Sequence, residues 1–110
     1  MTHLSEMTCI SCKVGVPPLP AAEAEDLLRL LHSDWHMKDG GTAISRRFEF
    51  KGFSKTMLFV NALAYIADQQ NHHPELRVGY NYCEVTYTTH ALHGISQNDF
   101  ICAAKIDILL

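Results

Sequence analysis

Hydrophobic and polar positions follow two different periods along this chain. Over residues 43–50 the alternation is that of a strand: Ile44, Arg46, Phe48 and Phe50 share one parity, and Ser45, Arg47 and Glu49 the other. Arg46 interrupts the apolar parity, so this face is expected to be only partly buried. Residues 35–38 read as a short strand ahead of it, and Asp39-Gly40-Gly41 between the two is a hairpin signal. A second pair of strands is expected over residues 76–81 and 82–89. In the latter, Tyr82, Glu84, Thr86, Thr88 and His90 point one way and Cys83, Val85, Tyr87 and Thr89 the other, and its β-branched and aromatic content supports the assignment.

Three segments carry helical spacing. Pro20 opens the first, where proline is tolerated and Glu23, Glu25 and Asp26 suit the positive end of the dipole. Leu27, Leu28, Leu30 and Leu31 supply its apolar face, and it should end near His32 or Ser33. Residues 53–72 form the longest helix, about five turns. From Met57 to Ala67 it is apolar in almost every direction, with Asn61 the polar exception. Such a helix must be covered on two sides. In so small a chain the second cover is expected to be another copy, giving a homodimer or homotetramer through helix 53–72, with Phe59 and Leu63 at the interface. Pro74 disfavours helical dihedrals at His73 and should stop the helix there. Ser96-x-x-Asp99 resembles a capping box with Asp in place of Glu or Gln, opening a last helix through Phe100, Ile101, Ala103, Ala104, Ile106, Ile108 and Leu109. Cys102 fits that pattern as a small core residue. The order α-β-β-α-β-β-α predicts an α+β domain, with three helices on one face of a four-stranded antiparallel sheet.

A length of 110 residues fits one domain. Residues 1–18 read as an irregular segment, since Gly15, Pro17 and Pro18 exclude a long helix or a central strand, and residues 19–110 as the folded unit. A net charge of −3 leaves no electrostatic footprint for nucleic acid or an anionic membrane. No apolar run is long enough to span a bilayer, and no basic region followed by an apolar core marks a secretory signal. The expected location is the cytoplasm, with the four cysteines reduced. Cys9-x-x-Cys12 is half of a zinc site or a redox pair in form, with His3 a further candidate ligand. A structural zinc needs four ligands and no second pair follows at short spacing. The pair therefore reads as two incidental thiols, with the zinc half-site as the alternative.

Chemistry concentrates between Asp68 and Asp99. Imidazoles titrate near neutral pH, so two facing one cavity can act as acid and base together. His72 falls at a helix C-terminus, where the dipole favours its protonated form. Asp68, one turn earlier, is placed to accept a hydrogen bond from that ring. His73 diverges from His72 by about a third of a turn. His90 arrives from a strand end, and Asp99 can orient an imidazole or cap the last helix. The same residue types can hold a metal, but adjacent helical histidines diverge, unlike an i, i+4 pair. His3, His32, His36 and His93 read as ordinary polar surface.

The spacing Asp68, three residues, His72-His73-Pro74, five residues, Tyr80, nine residues, His90, eight residues, Asp99 resembles the signature of the pterin-4a-carbinolamine dehydratases. Thr89-His90, Gly94-Ile95-Ser96 and Leu30-x-x-x-x-Trp35 are also similar to that family, and the resemblance covers about residues 19–110. Asp68 departs from it, since many members carry Glu there, and the shorter carboxylate reaches less far. The resemblance implies removal of water across C4a and N5 of a 4a-hydroxytetrahydropterin, with no metal or organic cofactor. It assigns the acid and base work to His72 and His90. It places His73, Pro74, Asp68, Tyr80 and Asp99 on the substrate side, with Pro74 fixing the turn. Two rival readings go with it. Some relatives serve as a dimerisation cofactor for a homeodomain transcription factor through the long helix, and the same histidines would also suit a metal-dependent enzyme.

Overall fold

Strands β2 (Ala43–Glu49) and β4 (Tyr82–Tyr87) lie side by side at the centre of an antiparallel sheet of order β1-β2-β4-β3, with β1 (His36–Lys38) and β3 (Glu75–Val78) at its edges. The structure, a computed structural model, describes residues 3–10 and 17–110. Helices α1 (Ala21–Leu28), α2 (Phe53–Gln70) and α3 (Gln97–Asp107) complete the expected α-β-β-α-β-β-α order. Short 3₁₀ turns occur at Leu4–Glu6, Asp39–Gly41 and His90–Leu92. Asp39, Gly40 and Gly41 all take positive φ, at 53°, 70° and 90°, a run that glycine makes inexpensive and that returns β1 onto β2.

The central register puts Ile44 opposite Tyr87, Arg46 opposite Val85 and Phe48 opposite Cys83. These six side chains form one face, all buried, while Arg47 and Glu49 on the other parity are exposed. All three helices contribute to the core on the buried face: Ala24 from α1, Phe59 and Leu63 from α2, and Phe100, Ile101 and Ile106 from α3. Arg46 does not thin this core as its charge suggested. It is 8% exposed, its Nη1 donates to Asp107 Oδ1 at 2.8 Å, and its guanidinium lies over the Phe48 ring. Asp107 supplies the counter-charge that makes the burial tolerable and also accepts from Trp35 Nε1.

The helix that its own chain surrounds is α3, not α2. Residues 98–103 and Ile106 of α3 are all buried, whereas α2 buries a single stripe of Thr56, Phe59, Leu63 and Ala67. Phe59 and Leu63, expected at a subunit interface, thus belong to the core. Leu58 and Tyr65 on the outer side of α2 are 70% and 65% exposed. Helix α1 ends earlier than expected, and the following residues tighten into i→i−3 bonds, Leu30 to Leu27 and Leu31 to Leu28. That change of pitch leaves Leu30 exposed while Leu31 is buried.

Residues 17–20 ahead of α1 are irregular, as their prolines require, and residues 3–10 pack against the folded unit. Leu4 joins the core at 7% exposure, and Lys105 Nζ donates to the Ser5 carbonyl at 2.9 Å. This strip lies along α3 and reaches the end of α2. Cys12 lies outside the described residues. No helix among the described residues is long and apolar enough to cross a membrane.

Candidate active site

The site is set by the way α2 stops. Asn71 takes a left-handed conformation at φ 51°, the Asn71 amide donates to the Asp68 carbonyl, and the His72 amide to that of Ala67. These are the two bonds of a Schellman ending, in which asparagine substitutes for the usual glycine. His72 therefore leaves the helix instead of completing its last turn, and the i, i+4 relation to Asp68 is lost. Asp68 does not meet His72. Its Oδ1 lies 3.5 Å from His73 Nε2, both side chains being largely exposed.

The partner of His72 is Asp99. His72 Nε2 and Asp99 Oδ1 are 2.6 Å apart, the imidazole is 12% exposed and the carboxylate fully buried. The ring stacks on Tyr87 with centroids 5.7 Å apart and planes within 6°. Burial by itself lowers the His72 pKa. The hydrogen bond and charge of Asp99 outweigh it, helped by Cys9, and the net direction is upward. The other carboxylate oxygen, Asp99 Oδ2, accepts from Thr89 Oγ1 at 2.8 Å and from the Ser96 amide at 2.9 Å. With its own proton committed there, Thr89 Oγ1 accepts from Ser96 Oγ at 2.7 Å. The expected capping box is present, so one aspartate both caps α3 and holds an imidazole. Asp99 is sealed off and reaches the cavity only through His72.

A cavity of about 750 Å³ opens beside this assembly, and His72, His73, Pro74 and His90 all line it. His90 is exposed and opens the 3₁₀ turn that follows β4; the strand stops at Tyr87, and only Thr89 continues the pairing, through Gly94. Tyr80 is not part of the cavity. It sits in the β3–β4 turn, 70% exposed, where its carbonyl accepts from Thr56 Oγ1 near the start of α2. That is about 27 Å, the length of the helix, from the end that carries His72. The position matches the expected spacing because the turn returns the chain to the sheet, not because the ring faces the histidines.

Spacing alone did not reveal Thr89 and Tyr87, and it gave Ser96 only as a helix cap. Thr89 carried one signal: its small hydroxyl continues the inward parity of Cys83, Val85 and Tyr87 just past the end of β4. Cys9 was also missed as a cavity residue. Its amide donates to Gln70 Oε1 at 2.9 Å, and its thiol lies in the cavity wall. Among the described residues, no three His, Cys, Asp or Glu side chains are grouped to hold a metal.

The family model for pterin 4 alpha carbinolamine dehydratase matches residues 17–109. A relative from Nitrosomonas eutropha that carries the pterin-4-alpha-carbinolamine dehydratase name is 53% identical over 107 residues, covering 97% of this chain and 93% of its own. One from Legionella pneumophila (strain Paris), named likewise, is 50% identical over 109 residues, covering 99% and 96%. The crystal structure of a transcriptional coactivator/pterin dehydratase from Brucella melitensis matches with a TM-score of 0.79 at 36% identity, over 84% of this chain and 97% of that one. A pterin dehydratase-like protein described as a RuBisCO assembly factor in the alpha-carboxysome matches at 0.62 and 25% identity, over 71% and 90%. A fold of the expected order, a signature at the expected spacing and relatives at about half identity over nearly the whole chain agree: this chain belongs to the pterin-4a-carbinolamine dehydratase family.

Proposed function

We propose that the chain is a pterin-4a-carbinolamine dehydratase that removes water from a 4a-hydroxytetrahydropterin to give the quinonoid dihydropterin, with His72 as acid and His90 as base. The carrying observation is that an imidazole held by a buried carboxylate shares one cavity with two exposed imidazoles. Asp99 favours the charged form of His72. Its Nε2–H is committed to Asp99, which leaves Nδ1–H to protonate the departing C4a hydroxyl. His90 takes the N5 proton. One proton is given and one accepted, so the net charge of the site is unchanged, and exchange with solvent restores each histidine to its starting protonation state. His73 and Pro74 contribute binding surface at the rim, and Asp68 orients His73. Asp99 and Thr89 act through His72 as positioning residues. Tyr80 has no role at this cavity in a single chain.

The test is ultraviolet-monitored dehydration of freshly made 4a-hydroxypterin, with the uncatalysed rate subtracted. General acid–base help is typically worth roughly 10²–10⁴-fold, so His72→Ala and His90→Ala should each lower kcat by about that range. The double variant should fall by less than the product, because the two act as a unit. His73→Ala should mainly raise KM. Near-wild-type kcat in either folded single variant would overturn the assignment, as would loss on chelation with recovery on added zinc.

The same reading includes assembly and location. The outer face of α2, with Phe53, Leu58 and Tyr65 exposed, supports association with a second copy of the chain, as a homodimer or homotetramer in the cytoplasm.

A further inference from the structure

Two thiols that dehydration does not use meet at the same cavity, one in its wall and one buried behind it. Cys9 Sγ lies 3.4 Å from Cys102 Sγ and 3.7 Å from the Asn98 carbonyl oxygen. Cys9 is half-buried and lines the cavity, whereas Cys102 on α3 is fully buried and is approached only past Cys9. We propose that Cys9 and Cys102 are a hydroperoxide-reactive dithiol that oxidises to an intramolecular disulfide beside His72.

The geometry supports a bond at this place. A disulfide needs sulfurs about 2.05 Å apart, so the pair must close by roughly 1.4 Å. Cys102 is fixed within a buried helix, whereas Cys9 is half-buried on an irregular strip, tied there by its amide to Gln70 and through Ile10 to the Asn98 side chain, so the closing movement falls to Cys9. The two thiols are also unequal. Donation from the Cys102 thiol lowers the Cys9 pKa; burial opposes this, His72 and Lys105 add to the lowering, and Asp99 acts against it. The same contact, with burial, pushes Cys102 strongly upward. Cys9 is thus the attacking thiolate and Cys102 the resolving thiol.

The chemistry balances with a hydroperoxide as oxidant. Cys9 thiolate attacks one peroxide oxygen, the O–O bond breaks, and Cys9 becomes a sulfenic acid. The leaving hydroxide or alkoxide takes the Cys102 thiol proton. Cys102 thiolate then attacks the Cys9 sulfur, the S–O bond breaks, and the released hydroxide takes a proton from solvent. Two thiols and one hydrogen peroxide give a disulfide and two waters. The bond would tie residues 3–10 to α3 and remove a charge that favours protonated His72. That consequence rests on His72 being the acid, but the covalent chemistry does not.

The test uses the native full chain, exposed to hydrogen peroxide, quenched with an alkylating agent and mapped by mass spectrometry without reduction. The expected product is a Cys9–Cys102 cross-linked peptide, abolished by dithiothreitol. Pairing of Cys9 with Cys12, oxidation at Cys83 in preference, or an unmodified Cys9 would overturn the proposal. In Cys102→Ala, iodoacetamide should alkylate Cys9 several-fold more slowly at neutral pH, and peroxide should drive Cys9 on to the sulfinic acid. An unchanged rate with unchanged products would also overturn it. Peptide mapping requires no turnover, so its failure leaves the dehydratase reading standing.

Discussion

Asp99 serves two masters with one carboxylate, and its substitution separates them. Asp99→Asn keeps a hydrogen-bonding group near Thr89 and Ser96 but removes the charge that raises His72. The proposed mechanism requires His72 protonated, so the alkaline limb of the kcat profile should move to lower pH in this variant; an unmoved limb would show that His72 is not the acid. Stability carries the same signature. Because the folded pKa of His72 lies above the ordinary 6.5, its charged contact is fully stabilising below that pH and is lost as pH rises through the folded pKa. The difference in Tm between wild type and His72→Gln should therefore be greatest in mildly acidic buffer and narrow on the alkaline side. At this scale the sequence was half legible. Histidine and aspartate at fixed spacing named the participants, but the partner of His72 depended on whether the helix still ran at residue 72.

A helix end decides that question. Asn71 takes a left-handed conformation, which costs most non-glycine residues roughly 1–2 kcal/mol and asparagine less. Asn71→Gly should leave Tm nearly unchanged. Asn71→Ala should cost about 1 kcal/mol in denaturant unfolding and reduce kcat as well, since it strains the turn that presents His72. In β2, Arg46→Ala removes the counter-charge of Asp107 and should cost up to roughly 3 kcal/mol. The existence and type of every helix and strand could be read from periodicity, because 3.6 and 2 are distinct repeats. Their ends could not, and Arg46 reads as an exposed residue until its partner, 61 positions away, is brought beside it.

Across the whole molecule, hydrophobic residues on α2 exceed what one chain can cover. The sequence showed the excess but not its distribution, since periodicity says how many faces are apolar and not which of them the sheet takes. The inner face is now known, so the outer one can be probed without harming the core. Leu58→Lys should leave the unfolding free energy of the chain within about 0.5 kcal/mol of wild type, as exposed substitutions do, while light scattering reports a smaller species. A wild-type monomer at micromolar concentration would contradict association through this helix.

The cavity has one fixed wall and one loose rim. His72 is tied through Asp99 to Thr89, Ser96 and the first turn of α3, the most deeply buried helix, whereas His73 and His90 stand in solvent. An imidazole anchored in this way to the core cannot drift without unfolding the domain, so its aim is inherited with the fold. The rim carries no such debt. Changes at the exposed rim around residue 73 can reshape what fits the cavity while the His72–Asp99 geometry stays constant, and the scaffold is free to diversify at its mouth.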